Sequence, residues 1–256
     1  MGGAETGLST TTGTDVVDGV LFDIDDTLVD THGAFRQALA GIIAVYLPDL
    51  PAQRHGEVLA LWRADSNGYF RRYANGTMGQ EAQRMARANQ VQETFGGAIL
   101  DEAAYQDWDA LFEDGLQGAW AAHDDAVQVV EELRAVGIAV GALSNAPVAY
   151  QLRKLERAGL DTVPLLVGLD TLGFGKPDPR VFIEACRLLG TDPARTAYVG
   201  DELDIDAQAA ARAGLVGIWL DRPGSRRHAM TDDDDVAAAG VVVVRGLDGL
   251  RAALGL

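Results

Sequence analysis

Asp23, Asp25 and Thr27 alternate directly after the apolar run Val20-Leu21-Phe22. A buried strand that breaks off in carboxylates concentrates negative charge where a fold tolerates it least, so the cluster needs a cation or an altered proton affinity. The pattern points to a metal and nucleophile site rather than a solvated turn. Three more polar groups each follow an apolar run: Ser144-Asn145 after 138–143, Gly175-Lys176-Pro177-Asp178-Pro179 after 165–169, and Gly200-Asp201 through Asp206 after 196–199. Phosphoryl transfer needs a nucleophile, a cation to shield approaching negative charge, and donors for the phosphoryl oxygens. An aspartate can be the nucleophile and form an acyl phosphate. A second acid two residues on can protonate the leaving oxygen and then activate water. Magnesium prefers hard oxygen ligands and keeps several waters, so one or two carboxylates with a carbonyl suffice. Ser144 adds a hydroxyl, Asn145 an amide and Lys176 a point charge.

The elements that must hold these groups show two textures. From about residue 124, helices at 126–135, 148–158, 180–189 and 205–213 run into Gly137, Gly159, Gly190 and Gly214. Apolar strands follow them at 138–143, 165–169, 196–199 and 216–220, with one more at 241–244 and a closing helix. Helix, glycine and strand in repetition is the sequence form of a parallel α/β sheet, and solidly apolar strands mean cover on both faces. Right-handed crossovers bring all the strand ends, and so the four polar groups, to one edge. Asp124 is placed to cap the helix at 126–135.

Residues 32–122 contain no convincing strand. Their periodicity predicts helices at 34–46, 53–73, 77–92 and 102–120, with Thr77 and Gln80 at capping-box spacing. Trp62, Trp108 and Trp120 fall here and are expected in a separate core of this unit. The expected architecture is a disordered leader at 1–18, a Rossmann-like parallel-sheet core from 19–31 and 123–256, and a helical unit at 32–122 inserted after the first strand.

At these residues the chain resembles the haloacid dehalogenase superfamily, with a helical cap inserted between the first two core motifs. The resemblance runs from Gly19 to the C-terminus. The family's Asp-x-Asp-x-Thr motif is Asp23-Ile24-Asp25-Asp26-Thr27; its second-motif Ser or Thr is Ser144, its third-motif Lys is Lys176, and Gly-Asp-x-x-x-x-Asp is Gly200-Asp201 through Asp206. The resemblance implies Asp23 as nucleophile and Asp25 as general acid/base. It implies Mg2+ held by Asp23, Asp201 and the backbone carbonyl of Asp25. It implies Thr27, Ser144, Asn145 and Lys176 around the phosphoryl oxygens, and Asp206 orienting Lys176 or a metal-bound water. The dehalogenating branch lacks the second acid, so Asp25 favours phosphate ester cleavage, and Asp26 beside the pair resembles the phosphatase and nucleotidase branches. The implied activity is a Mg2+-dependent phosphatase acting on a sugar phosphate or nucleoside monophosphate. A phosphomutase on the same scaffold, a phospho-aspartate signalling module and a silent binding protein are the rival readings; the large insertion and the first-strand acids weigh against the last two.

A formal charge of −17, from 38 acids against 21 bases, repels phosphate backbones and argues against nucleic-acid binding. No stretch approaches the roughly 18 apolar residues of a membrane span. Gly2 and Thr6 fit a short myristoylation pattern, but no basic patch supports it. The lone Cys186 in an apolar run reads as a buried, inert thiol, consistent with a reducing cytoplasm. A monomer or a homodimer would fit. Among the inserted residues, Tyr69, Arg71, Arg72, Tyr73, Arg84 and Arg87 are candidates to touch a substrate, as is His32 beside the first motif. His55, His123 and His228 show no ligand spacing. The acid run Asp232–Asp235 reads as a solvated loop.

Overall fold

The structure, a computed structural model, describes residues 17–74, 76–223 and 240–256. The leader through 16, His228 and the Asp232–Asp235 run lie outside the described residues. The strands are β1 (Gly19–Phe22), β2 (Ala139–Leu143), β3 (Leu165–Val167), β4 (Thr196–Gly200), β5 (Val216–Leu220) and β6 (Val242–Val244). They form a sheet of order β3-β2-β1-β4-β5-β6 in which every pairing is parallel. The order reverses direction at β1, which pairs with β2 on one side and β4 on the other. That is the switch point where open α/β sheets bind ligands.

Side chains leave a strand alternately to its two faces. Val20, Phe22, Val140, Ala142, Ala197, Val199, Ile218 and Leu220 therefore join one core, with Val129 and Leu133 of α6 (Ala126–Ala135) and Leu250 of α11 (Leu250–Leu254). Leu21, Leu143 and Tyr198 face the other way, onto Phe182 and Cys186 of α9 (Pro179–Leu189) and Ala209 and Ala210 of α10 (Gln208–Arg212). The sheet is covered on both sides, as its uniformly apolar strands require.

Between β1 and β2 lie α1 (Thr31–Tyr46), α2 (His55–Ala64), α3 (Tyr69–Ala74), α4 (Gln80–Phe95) and α5 (Glu102–Gly118). They share a core of their own containing Trp62, Trp108, Phe112, Leu116 and Trp120. Trp108 and Phe112 stack at 5.1 Å, and Trp62 packs on Phe112 at 4.9 Å. Gly115 lets α5 close on α1, since a Cβ there would stand 3.1 Å from the Cα of Ala38.

The expected helix over 53–73 is interrupted. Asp65 takes a left-handed turn at φ 42°, and its carboxylate accepts from the backbone N–H groups of Phe70 and Arg71, so α3 starts afresh. Thr77 does not form the expected capping box; its hydroxyl donates to the Arg72 carbonyl, and α4 begins at Gln80. Asp124 does not cap α6 either: Asp125 occupies the cap position and makes no capping bond. The Asp125 carboxylate instead accepts from Arg222 and from the Leu247 backbone. Thr77 is taken by a local carbonyl five residues back, and Asp125 by tertiary contacts with Arg222 and Leu247. None of the described helices is long and apolar enough to cross a membrane.

Candidate active site

Asp23 continues β1: its N–H donates to the Val199 carbonyl at 2.9 Å, so β4 fixes where the side chain departs. The loop that follows is turned by Asp26, at φ 60°, a conformation a short polar side chain tolerates. The Asp26 carboxylate is itself buried; it accepts from the His32 N–H at 2.6 Å and lies 3.5 Å from the Arg63 guanidinium of α2. Arg63 also donates to Nδ1 of His32. Burial and the Arg63 charge hold the His32 imidazole below its ordinary range. His32 is thus tied into the seam between the motif loop and the helical insertion.

Lys176 is the hub. Its ammonium, 8% exposed as a residue, donates to Asp23 at 2.6 Å, to Asp206 at 2.7 Å and to the Tyr198 hydroxyl at 2.9 Å. Burial works to lower its pKa, but the Asp206 and Asp23 carboxylates outweigh that and hold it well above its usual range. Burial pushes the Asp23 carboxyl up to about 7, against the pull of Lys176 and with the push of Asp206 and Asp25. Two glycines make room. A Cβ on Gly200 would lie 2.3 Å from Asp206 Cγ, and one on Gly175 would lie 2.2 Å from the Asn145 amide oxygen. Asp206 accepts from Lys176 on one oxygen and from the Glu202 N–H on the other. It sits in the π-turn Leu203–Ala207 that opens α10.

Asp23, Asp201 and Asp206 each present a carboxylate oxygen, all within 4.8 Å of one another. Three hard oxygen donors at that spacing suit a small divalent cation such as Mg2+. The backbone of Asp201 is anchored by the Trp219 indole, which donates to its carbonyl at 2.9 Å.

Ser144 and Asn145 follow β2. The Ser144 hydroxyl, 2% exposed, accepts from Gln151 of α7 (Val148–Arg157) at 2.7 Å. Asn145, expected to offer its amide to a phosphoryl oxygen, spends both ends of it on the Lys176 backbone: it accepts from the Lys176 N–H at 2.7 Å and donates to the Lys176 carbonyl at 2.9 Å. It fastens the lysine loop to β2. Thr27 is fully buried and its hydroxyl has no hydrogen-bond partner. Its carbonyl accepts from Arg222. Cys186 is buried, and burial raises its thiol.

Asp25 is held from α7. One oxygen accepts from Lys154 at 2.5 Å and from Thr31 at 2.7 Å; the other accepts from Gln151 at 2.5 Å. Burial alone would raise this carboxyl, but the Lys154 charge and the hydrogen bonds from Lys154, Thr31 and Gln151 bring it down to about 2. Sequence reasoning missed Lys154, Gln151, Tyr198 and Arg63. On α7 local hydropathy misleads outright, since Leu152 is 48% exposed while Lys154 is buried. Tyr198 reads as one more apolar strand residue.

Above α7, a cleft of about 380 Å³ opens between the insertion and the core, lined by Arg84, Tyr105, Asp109, Glu113, Tyr150 and Arg153 among others. Arg84 pairs with Asp109 at 3.2 Å and with Glu113, and the Tyr150 hydroxyl donates to Glu113 at 3.3 Å. Of the other basic candidates, Arg87 lies 4.0 Å over the Trp62 ring and Arg72 4.9 Å over the Tyr69 ring.

Comparison with known proteins places this arrangement. Glyceraldehyde 3-phosphate phosphatase of Methanopyrus kandleri is 36% identical over 115 residues, which is 44% of this chain and about half (49%) of that protein. N-acylneuraminate-9-phosphatase of Mus musculus is 29% identical over 217 residues, covering 80% of this chain and 83% of that protein. The magnesium-bound HAD-hydrolase YfnB of Bacillus subtilis superposes with a TM-score of 0.73 at 21% identity, covering 94% of this chain and 100% of that one, a likeness of fold. The family model of the haloacid dehalogenase-like hydrolases matches residues 17–214. With its sheet, its insertion after β1 and four polar groups meeting at one sheet edge, the chain belongs to the haloacid dehalogenase-like hydrolase family.

Proposed function

We propose that this phosphoric monoester hydrolase is a Mg2+-dependent phosphatase that hydrolyses a small phosphorylated metabolite, a sugar phosphate or nucleoside monophosphate, through a phosphorylated Asp23. The observation that carries the reading is the meeting of the Asp23 and Asp206 carboxylates on the buried Lys176 ammonium, with Asp201 beside them. Charge of both signs is brought together at largely buried side chains at the switch point of the sheet, where placed charges act most strongly.

An Asp23 oxygen attacks phosphorus as the bond to the leaving oxygen breaks; Asp25, ionised in the free protein, takes up a proton when the negative charge of the substrate enters beside it and gives that proton to the leaving oxygen. Water then attacks the phosphorus of the acyl phosphate, Asp25 takes the water's proton, and inorganic phosphate departs with Asp23 restored. Lys176 and the Ser144 hydroxyl neutralise and hold the phosphoryl oxygens. Asp206 and Tyr198 fix the lysine, and Asn145 fixes the loop that carries it. Mg2+ held by Asp23, Asp201 and the Asp25 carbonyl would shield the phosphoryl charge from the attacking carboxylate. Asp206, with both oxygens already engaged, fits the supporting role better than that of a direct ligand. The helical insertion serves as a cap that excludes water.

The purified protein is expected to hydrolyse an aryl phosphate with Mg2+ and to be silent in EDTA. Asp23→Asn is expected to lose at least about 10³-fold in kcat with its circular dichroism unchanged. Turnover at the original rate in that variant would refute the nucleophile.

A further inference from the structure

Lys154 is a charge that the proposed mechanism leaves unused. It rises from α7 in the core, its side chain is 3% exposed, and its ammonium lies 2.5 Å from Asp25. The remaining space around it is aromatic: the Trp120 ring centroid is 5.5 Å away and the Tyr150 centroid 5.4 Å. Those two rings meet edge to face at 5.2 Å. Burying an ammonium costs stability, and its ion pair with Asp25, whose side chain is 27% exposed, returns only part of it. The rings help by facing the cation, yet an apolar residue of equal length would pack there at least as well. Stability therefore does not account for a lysine at this place.

Geometry does. Gln151, one turn earlier on α7, donates to the other Asp25 oxygen and also to Ser144. Together the two α7 side chains grip both oxygens of the one carboxyl that must meet first the leaving oxygen and then the attacking water. Trp120 follows the last helix of the insertion and belongs to its core, while the neighbouring Ala121 carbonyl accepts from the Asp30 N–H where the chain enters the insertion. The cradle of Lys154 thus lies where cap and core join.

We propose that Lys154 is a positioning residue that acts through Asp25: held against Trp120 and Tyr150, and working with Gln151, it fixes the Asp25 carboxyl for both proton transfers. The inference rests on the phosphatase reading. The transferred protons move only between Asp25, the leaving oxygen and water.

The test is a double-mutant cycle on p-nitrophenyl phosphate with Mg2+, a substrate whose good leaving group keeps Asp25→Asn measurable. Lys154→Met keeps the length and sits well between aromatic rings, so it is expected to fold; Lys154→Gln takes its place should thermal unfolding show otherwise. A carboxyl left free to swing is expected to lower kcat by about 100-fold with KM changed by less than about threefold. Lys154→Arg is expected to recover at least about tenfold of that, since it restores the charge. On the Asp25→Asn background Lys154→Met is expected to cost nothing further. Wild-type turnover in Lys154→Met, or a loss that multiplies with that of Asp25→Asn, overturns the proposal and leaves the phosphatase reading standing. A wild-type protein silent towards every phosphate ester overturns both.

Discussion

Asp23 must be ionised to act as a nucleophile, yet burial lifts its carboxyl to about 7 from 3.8. Between those values the folded protein holds a proton that the unfolded chain has released. The unfolded state then binds fewer protons, so without metal this carboxyl makes the fold less stable as pH rises through that window. A cation held by Asp23 and Asp201 favours the ionised form and competes with that proton. The rise in melting temperature on adding Mg2+ is therefore expected to be larger at about pH 8 than at about pH 5. Thermal unfolding with and without Mg2+ at the two values checks this; an equal rise at both would remove Asp23 from the cation site. The acids themselves were legible in the sequence, because three carboxylates after an apolar strand have few peaceful explanations. Lys176 was legible too, as one of the four groups brought to the sheet edge; Lys154, on a helix 129 residues from Asp25, was not.

At the scale of elements, the strand ends carry the chemistry and small residues keep them close. Gly200→Ala would set a Cβ 2.3 Å from Asp206 Cγ, at a side chain fixed on both oxygens. It is expected to cost about 1–3 kcal/mol and to lower activity together with stability. Gly41 lies inside α1 with nothing within 4 Å of a built Cβ. Gly41→Ala is expected to stabilise by about 0.5–1 kcal/mol through helix propensity alone. Urea unfolding of the two variants separates a glycine required by close approach from one that is merely tolerated. The sequence sets Gly200 apart only as part of a motif; the packing gives the physical reason, a close approach that Gly41 lacks.

Across the whole molecule, the seam between insertion and core is held by charge. Arg63 of α2 reaches Asp26 and His32 in the first motif loop. Asp26 is 4% exposed, so Arg63→Ala leaves a buried carboxylate without this cation and is expected to cost about 3–5 kcal/mol. Adding Asp26→Asn should return a large part of that stability, measured by chemical unfolding, because the stranded charge goes with it. Equal instability in the single and double variants would show that the seam does not depend on this pair. The same contact ties the insertion to the loop that follows β1.

The order of the elements, the parallel sheet and the four polar groups at its edge follow from hydropathy, glycine stops and the right-handed crossover, all properties of short stretches of chain. Tertiary structure alone decided which polar side chains answer one another. It turned Asn145 onto the Lys176 loop, took Asp125 from the α6 cap to Arg222, and buried Lys154 while leaving Leu152 in solvent. Local sequence sets what a residue prefers by itself. A buried charge is settled by whichever opposite charge the completed fold brings within a few ångströms, and that distance is written nowhere along the chain.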